Sequence, residues 1–441
     1  MTFSCGIDFG TTNTAAALST SKTEPTLIHL EGDSVIIPSA LFIGIDKKIY
    51  FGKQAMQLYM NGENGRCMRS LKRVLGTDLM MSGTYFNNNK ISFSELLSCF
   101  LKNIKNKIDL AAEANVDSVV LGRPVHFQDN NPNSDMRAEN ELRQIAQKAG
   151  FKNIEFQYEP IAAAFAHESK ITEESLACVI DIGGGTSDFS IIKIGQPLML
   201  KVDRTDDILS SVGIRIGGND FDKDLSLKAF MPVFGYQTLQ GGQTPYDKVM
   251  TLPTIPFRTM AEWSSINSMY TYKELNFAKK MLFNAQEKEK LQRFVELIEK
   301  QKGYSLLNTV EKTKIKLTEQ CKINVPLNFI SDKPVVPVSR QNLNESIELD
   351  VARIFKKVDE CFSQAGIKPD DIQYVILTGG STEIPLIQNI VSRYFPNAVL
   401  SQDNKFSSVS IGLTYDGMRR FSKRESSKGC MVGSHTGYLG R

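Results

Sequence analysis

The chain has 441 residues, of which 41% are apolar and 23% are charged, a composition typical of a globular protein large enough for two core-bearing domains. Its 52 basic and 49 acidic residues leave a net charge of +3, too balanced to indicate a nucleic-acid groove. The apolar stretches are too short to cross a bilayer, and the first residues lack the basic segment of a signal peptide. We therefore expect a cytoplasmic protein that binds neither nucleic acid nor membrane.

The first part of the sequence predicts a strand over residues 3–8, a tight turn at residues 10–12 and a returning strand over 14–18. Residues 40–108, with many Asn, Gly and Lys, have the composition of an inserted subdomain. Strands and helices then alternate. The predicted elements are a strand over 116–122, a helix over 137–149 ended by Gly150, a strand over 154–158, and a helix that has Pro160 at its first position and continues over 161–167.

The middle of the sequence repeats the opening pattern, with strands over 176–181 and 189–194 around a turn at 183–186. This similarity predicts a fold of two related halves. Residues 225–348 are interpreted as a second insertion, and the charged stretch 272–302 as one long solvated helix rather than a coiled-coil docking site.

The last part of the sequence returns to alternating elements and predicts an α/β fold with mixed sheets. The predicted elements are a helix over 344–365, a strand over 372–377, a turn at 379–381 followed by a helix through 394, and a final helix near 412–420. Residues 426–441, which are basic and rich in Ser and Gly, are expected to form a flexible tail.

The two turns have the chemistry of phosphate-binding loops. Glycine allows backbone N–H groups to approach phosphate oxygens, and threonine hydroxyls add donors. Taken alone, the turn after Asp8 is equally compatible with an ordinary hairpin. The second turn puts three consecutive glycines between Asp181 and Asp188, which a purely structural turn seldom needs.

Four carboxylates and one lysine are candidates for phosphoryl chemistry. The sequence has no Walker P-loop and no kinase-type glycine-rich loop. Seven cysteines and four histidines are scattered singly, so a metal site would be built from oxygen ligands. Asp8, Asp181, Asp188 and Glu159 could hold hydrated Mg²⁺ and orient a water molecule. Lys72 could reach a γ-phosphate, although its local context by itself favours a basic surface helix.

Six motifs, in order along the chain, resemble those of the heat-shock-70 family. They are its first phosphate loop at 6–13, a Lys-Arg-x-x-Gly stretch at 72–76, a Glu-Pro-x-Ala-Ala-Ala connection at 159–164, the second phosphate loop at 181–188, a Gly-Gly-x-Asp-Phe-Asp segment at 217–222, and the adenosine motif at 377–385.

The resemblance implies an actin-like ATPase fold with two lobes, each built on a mixed, five-stranded type of sheet, and with ATP or ADP and Mg²⁺ in the central cleft. The lobes are expected at residues 1–175 and 176–404, with the insertions near 40–108 and 225–348. A C-terminal helix over 405–425 is expected to return to the first lobe.

The resemblance also implies roles for individual residues. Catalytic roles fall on Lys72, Glu159, Asp181 and Thr186, and Mg²⁺ would be held through water by Asp8, Asp181 and Asp188. The nucleotide would be contacted by Gly10, Thr11, Thr12, Asn13, Gly183, Gly184, Gly185, Thr186, Gly217, Gly218, Glu311, Lys314, Ile315, Thr318, Gly379, Gly380, Ser381 and Glu383.

Several positions depart from the family pattern. Ile315 and Glu383 stand where the family usually has arginines flanking the adenine, so nucleotide binding should be weaker. Asn13 replaces a frequent aromatic residue, and the stretch between Asp222 and Glu311 is longer than usual. The sequence ends about two dozen residues after the final helix, so no peptide-binding domain is expected, as in the YegD-type, chaperone-like branch of the family.

The function predicted from this resemblance is slow, Mg²⁺-dependent ATP hydrolysis by a chaperone-like monomer. One alternative is a nucleotide sensor that hydrolyses little ATP and docks an unidentified protein through residues 225–348. A small-molecule kinase and a filament-forming actin relative share the phosphate hairpins but fit the other motifs less well.

Overall fold

The structure is a computed structural model that describes residues 3–20, 23–86, 89–127, 131–199, 201, 204–241, 248–401 and 407–431. Within these ranges the strands are β1 (Phe3–Phe9), β2 (Asn13–Thr20), β3 (Thr26–Leu27), β4 (Ile36–Pro38), β5 (Ala40–Gly44), β6 (Ile49–Phe51), β7 (Gly65–Arg69), β8 (Thr84–Phe86), β9 (Asn89–Ile91), β10 (Ser118–Arg123), β11 (Asn153–Tyr158), β12 (Ser175–Ile182), β13 (Ser187–Ile194), β14 (Ile208–Ile214), β15 (Leu239–Gln240), β16 (Met250–Thr251), β17 (Lys322–Pro326), β18 (Val335–Ser339), β19 (Tyr374–Thr378) and β20 (Val399–Ser401). The α-helices are α1 (Gly52–Met60), α2 (Leu79–Ser82), α3 (Phe93–Ala112), α4 (Pro132–Ala149), α5 (Glu159–Phe165), α6 (Gly218–Leu225), α7 (Ile255–Met260), α8 (Tyr272–Asn284), α9 (Lys288–Glu299), α10 (Gly303–Glu319), α11 (Arg340–Ala365), α12 (Pro385–Tyr394) and α13 (Ser408–Met431).

Two mixed sheets share one pattern of strand pairing. The first has the order β11-β10-β1-β2-β3, with β4 also paired to β2, and the second has the order β14-β13-β12-β19-β20. In each, an antiparallel hairpin (β1–β2 or β12–β13) is followed by two parallel strands on its other side. The α/β fold class and the two related halves are therefore confirmed, and the first sheet has one strand more than expected.

Helices α5 and α13 pack against each other between the two sheets. Their buried side chains form one apolar cluster with residues of β10, β12, β13 and β19. The helices cross so closely that a β-carbon at Gly412 would lie 1.6 Å from the carbonyl oxygen of Ala162. Because only glycine permits this distance, Gly412 fixes how α13 lies against α5 and β1.

Local capping signals explain where several helices begin and end. Ser92 caps α3 in a capping box with Glu95, and Pro132 occupies the first turn of α4. Helix α4 ends at Gly150, whose φ of 113° is unfavourable for other residues. No helix in the described part of the chain carries an apolar stretch long enough to span a membrane.

Two predicted boundaries are wrong. The stretch 272–302 is two helices, α8 and α9, because Ala285 leaves the helix and forms an antiparallel bridge with Gln240. Helix α9 also buries five apolar side chains, so this stretch is not simply solvated. At the C-terminus, α13 continues to Met431 rather than ending near 425, and residues 432–441 of the expected tail lie outside the described residues.

Candidate functional site

The turn between β1 and β2 meets the turn between β12 and β13. A β-carbon added at Gly184 would lie 1.8 Å from Oγ1 of Thr12, and one at Gly185 would lie 2.7 Å from Oγ1 of Thr11. The glycines are therefore needed for the contact between the turns. The hydroxyl of Thr12 is buried without a hydrogen-bond partner among the described residues, so it is a donor suited to an anionic ligand.

Helix α6 begins directly behind the second turn. The N–H of Gly218 donates to the carbonyl of Gly183 over 2.9 Å, and the N–H of Asn219 donates to that of Gly184 over 2.8 Å. A β-carbon on Gly217 would come within 2.8 Å of Gly183 O. Gly217 therefore allows α6 to pack on the turn. It supports the turn from behind and does not line the cavity.

Charged side chains converge below the two turns. Lys72 donates a hydrogen bond from Nζ to Oε1 of Glu159 over 2.7 Å, and these side chains are 7% and 10% exposed. Asp8 on β1 and Asp181 on β12 lie near this pair and interact electrostatically with both of its members. Four of the predicted catalytic and metal-binding residues are thus adjacent, although they come from separate elements.

Burial and mutual repulsion raise the pKa values of the aspartates. Burial, together with the charge of Glu159, raises the pKa of Asp8 to about 7. Burial and the charges of Glu159, Asp188 and Asp8 raise the pKa of Asp181 well above its usual value. Asp188 has a pKa of about 8 because burial and Glu159 outweigh the hydrogen bond that it accepts from the N–H of Val125. A cation bound here would stabilise the ionised carboxylates.

The acidic groups suit a hydrated cation better than a directly ligated one. In the described part of the chain, no three His, Cys, Asp or Glu side chains are close enough together to bind a metal ion directly. Mg²⁺ characteristically keeps several of its water molecules and binds through one or two carboxylates plus phosphate oxygens. The residues present therefore fit a hydrated Mg²⁺ ion that accompanies a phosphate ligand.

A cavity of about 460 Å³ opens between the turns, large enough for a small-molecule ligand. The predicted residues on its wall are Asp8, Gly10, Thr11, Thr12, Asn13, Lys72, Glu159, Asp181, Gly183, Gly184, Gly185, Thr186, Gly218, Glu311, Lys314, Ile315, Thr318, Gly379, Gly380, Ser381 and Glu383. Two predicted residues, Asp188 and Gly217, lie behind the wall; Asp188 is only 1% exposed.

One buried charged residue of the cavity wall was not predicted. Asp222, at the end of the Gly-Gly-Asn-Asp-Phe-Asp segment, forms an ion pair of 2.8 Å with Lys314 and is 1% exposed. The sequence signal that could have predicted Asp222 was its place in this segment, which resembles a family motif. The remaining unpredicted wall residues are Thr14, Ala15, Ile36, Asn219, Glu319, Thr378, Ile384 and Val409.

The far end of the cavity is formed by α10 and the turn after β19. Arg69 forms two hydrogen bonds with Glu311, of 2.6 and 3.1 Å. Burial alone would raise the pKa of Glu311, but the charge of Arg69 lowers it below the usual value, so the carboxylate stays ionised. Ile315, by contrast, is 57% exposed, and Glu383 is half-buried. At this end the cavity wall has the carboxylate of Glu311, held by Arg69, and an open apolar edge formed by the exposed side chain of Ile315.

Comparison with known proteins identifies the family of the chain. The family model described as "Hsp70 protein" matches residues 4–237 and 276–417, most of the chain. The chain belongs to the Hsp70 family. The expected resemblance is confirmed, and with it the actin-like ATPase fold class. Residues 238–275, inside the predicted second insertion, fall outside the matched parts of the family model.

Relatives of this Hsp70-family chain include proteins named "Chaperone protein DnaK". The chain is 26% identical over 417 residues to that of Thermosipho melanesiensis and 25% identical over 423 residues to that of Thermotoga maritima. These alignments cover 92% and 93% of this chain but 57% and 58% of the relatives. The chain therefore spans less than two thirds of their length.

Proposed function

We propose that this Hsp70-family chain binds ATP and ADP with Mg²⁺ in the cavity between the two turns and hydrolyses ATP slowly to ADP and phosphate. The observation that carries the proposal is the buried Lys72–Glu159 pair, which lies on the same cavity wall as Asp8, Asp181 and both turns. Phosphoryl transfer needs these components together, since its catalysis is mostly positioning and charge stabilisation.

The phosphate groups would bind at the paired turns. The hydroxyls of Thr11 and Thr12 and the backbone N–H groups around Gly184 and Gly185 supply donors at the closest approach of the two hairpins. The buried hydroxyl of Thr12, which has no hydrogen-bond partner in the described part of the chain, supports this assignment, because a phosphate oxygen would satisfy it.

Hydrolysis would use the charged residues below the turns. Mg²⁺, when bound through water by Asp8 and Asp181, would neutralise phosphate charge. The ammonium group of Lys72 would bind the γ-phosphate, and Glu159, which already accepts a hydrogen bond from Lys72, would orient the attacking water and accept its proton.

Lobe closure is the conformational part of the proposal. The two lobes that would close on each other are residues 1–175 and 176–404, and α13 returns to the first lobe. Support comes from ion pairs that join these two parts of the chain: Arg69 with Glu311, and Arg73 with Asp220 at 2.9 Å. Nucleotide bound between the parts would add further contacts across the cleft and favour the closed arrangement.

The deciding experiment is single-turnover hydrolysis of labelled ATP by the purified protein, with and without Mg²⁺, beside Lys72→Ala. We expect slow Mg²⁺-dependent release of phosphate that is lost in Lys72→Ala, while ADP binding persists. A matched control is Lys152→Ala, which removes an exposed lysine paired with Asp117. Unchanged turnover in Lys72→Ala would remove Lys72 from the catalytic group.

A second candidate is a nucleotide sensor with little hydrolysis. The open edge at Ile315 favours it, because weak base contacts suit a ligand that is exchanged readily. Exposed apolar side chains in the region 225–348 also favour it, since they suit a docked protein; Ile255 is 74%, Tyr272 81% and Phe283 70% exposed. Nucleotide binding without phosphate release in the same assay would select this function.

A further inference from the structure

The part of the chain outside the family match contributes the protein's single tryptophan to the neighbourhood of the cavity. Trp263 follows α7, lies within residues 238–275, and is 3% exposed. Its ring lies 4.3 Å from the guanidinium carbon of Arg69, within the range of a cation–π contact. The stretch without a match in the family model thus contacts a residue that itself contacts the cavity wall.

Arg69 joins this tryptophan to the cavity. It ends β7, and its side chain is only 6% exposed. While Trp263 covers the face of the guanidinium group, the edge donates both hydrogen bonds to Glu311 on α10. A planar guanidinium held on its face and along its edge has little freedom to rotate. The orientation of the Glu311 carboxylate on the cavity wall therefore depends on Arg69, and through it on Trp263.

The surroundings of Trp263 keep it in this position. Its ring lies 5.6 Å from that of Tyr304 on α10. The hydroxyl of Tyr304 donates to the carbonyl of Cys67 on β7 over 2.9 Å and accepts from Asn267, also within the unmatched stretch, over 2.8 Å. The tryptophan is thus fixed against both β7 and α10, the elements that carry Arg69 and Glu311.

We propose that Trp263 and Arg69 are positioning residues for the nucleotide. Trp263 holds the Arg69 guanidinium, and Arg69 holds the Glu311 carboxylate in one orientation on the cavity wall, where it would face a bound nucleotide. Residues 238–275 thereby set nucleotide affinity without touching the nucleotide. This inference rests on the proposed function, because it requires a nucleoside phosphate in the cavity.

The test is calorimetric titration of MgADP into the wild type, Trp263→Leu and Trp263→Phe. We expect Kd to rise about tenfold in Trp263→Leu, since the desolvated cation–π contact is lost, and less in Trp263→Phe, which keeps an aromatic face. The matched control is Phe257→Leu, another fully buried aromatic residue of the same stretch, which packs on Phe294 with ring centroids 4.3 Å apart. It should lower the melting temperature as Trp263→Leu does, yet leave Kd unchanged.

A double-mutant comparison tests whether the effect passes through Glu311. In a Glu311→Gln background, Trp263→Leu should cause no further loss of affinity. The inference is overturned if Trp263→Leu binds MgADP like the wild type, if Phe257→Leu loses as much affinity, or if Trp263→Leu still costs tenfold beside Glu311→Gln. A wild type that binds no nucleotide would instead overturn the proposed function and this inference with it. Should Trp263→Leu not fold, Trp263→Phe and Arg69→Lys carry the same comparison.

Discussion

Lys72 and Glu159 are 87 positions apart in the sequence, yet they form a 2.7 Å ion pair in which both side chains are almost completely buried. The pair is not isolated, because Asp8 and Asp181 lie close enough that the charge of Lys72 offsets part of the rise in pKa that burial and Glu159 cause. One cation therefore faces several acidic groups, and the two members of the pair are not equivalent for stability.

Replacing Lys72 should destabilise the ligand-free protein more than replacing Glu159. Lys72→Met leaves the buried carboxylates without their cation, and we expect a loss of about 3 kcal/mol in the free energy of unfolding. Glu159→Gln leaves Lys72 beside Asp8 and Asp181, so the expected loss is about 1 kcal/mol or less. Urea unfolding at neutral pH without nucleotide measures both, and equal losses would contradict the asymmetry.

Binding of MgADP at pH 7 should release about one proton. Burial and neighbouring carboxylates raise the pKa of Asp8 to about 7 and that of Asp181 well above its usual value, so both are at least partly protonated in the ligand-free protein at this pH. The cation favours their ionised forms, so binding expels protons and weakens as the pH falls. Calorimetry at pH 7 in buffers of different ionisation enthalpy measures the release. Heats that do not depend on the buffer at pH 7 would exclude it.

Asp8 and Asp188 make the ligand-free protein less stable as the pH rises. Their pKa values in the folded state lie above the ordinary value of 3.8, so their contribution is fully present below about pH 4 and lost as the pH passes 7 and 8. Urea unfolding at pH 5.5 and 8.5 should show this loss. Asp8→Asn, which cannot ionise, should reduce it, and an undiminished loss in that variant would exclude Asp8 as its source.

Ile315→Arg should tighten nucleotide binding. The side chain is 57% exposed at the open end of the cavity, and a guanidinium stacked on a base would add about 1 kcal/mol, or roughly fivefold in Kd. Val335→Arg is the matched control, since Val335 is 56% exposed on β18 and gains the same charge. Calorimetry with MgADP compares the two; equal gains would indicate a general charge effect instead of stacking.

Gly184→Ala should separate the two turns. Its β-carbon would lie 1.8 Å from Oγ1 of Thr12, so the hairpins must move apart at a cost of about 2 kcal/mol, and MgADP binding should be lost. Gly183→Ala is the steric control for stability, because its nearest neighbour, the carbonyl oxygen of Thr186, would be 3.6 Å away. Thermal unfolding of both variants measures the difference, and equal melting temperatures would contradict the close approach.

Much of the fold and most of the candidate site were predictable because their signals are local. A buried strand, a glycine-threonine turn and a returning strand are adjacent in sequence, so both hairpins could be recognised before their contact was known. Gly150, at the end of α4, is another local signal that the structure confirms. The order of six such motifs indicated the family that the comparisons show.

The sequence did not indicate features that depend on partners distant in sequence. The helical pattern of residues 272–302 gives no sign of the break at Ala285, because the break is made by a bridge to Gln240. The surroundings of Asp188 also depend on a residue distant in sequence, since its buried carboxylate accepts a hydrogen bond from the N–H of Val125.

The sequence by itself determined the two turns, the acidic residues beside them and the lysine expected to bind a γ-phosphate. Each of these lies in a short sequence pattern whose residue types suit phosphate or Mg²⁺ binding. Only the tertiary structure decided that Lys72 meets Glu159, that Arg69 holds Glu311, and that Trp263 from the unmatched stretch covers Arg69. Burial, ion pairing and ring contacts between distant segments arise when the sheets and helices pack, and no periodicity in the chain encodes them.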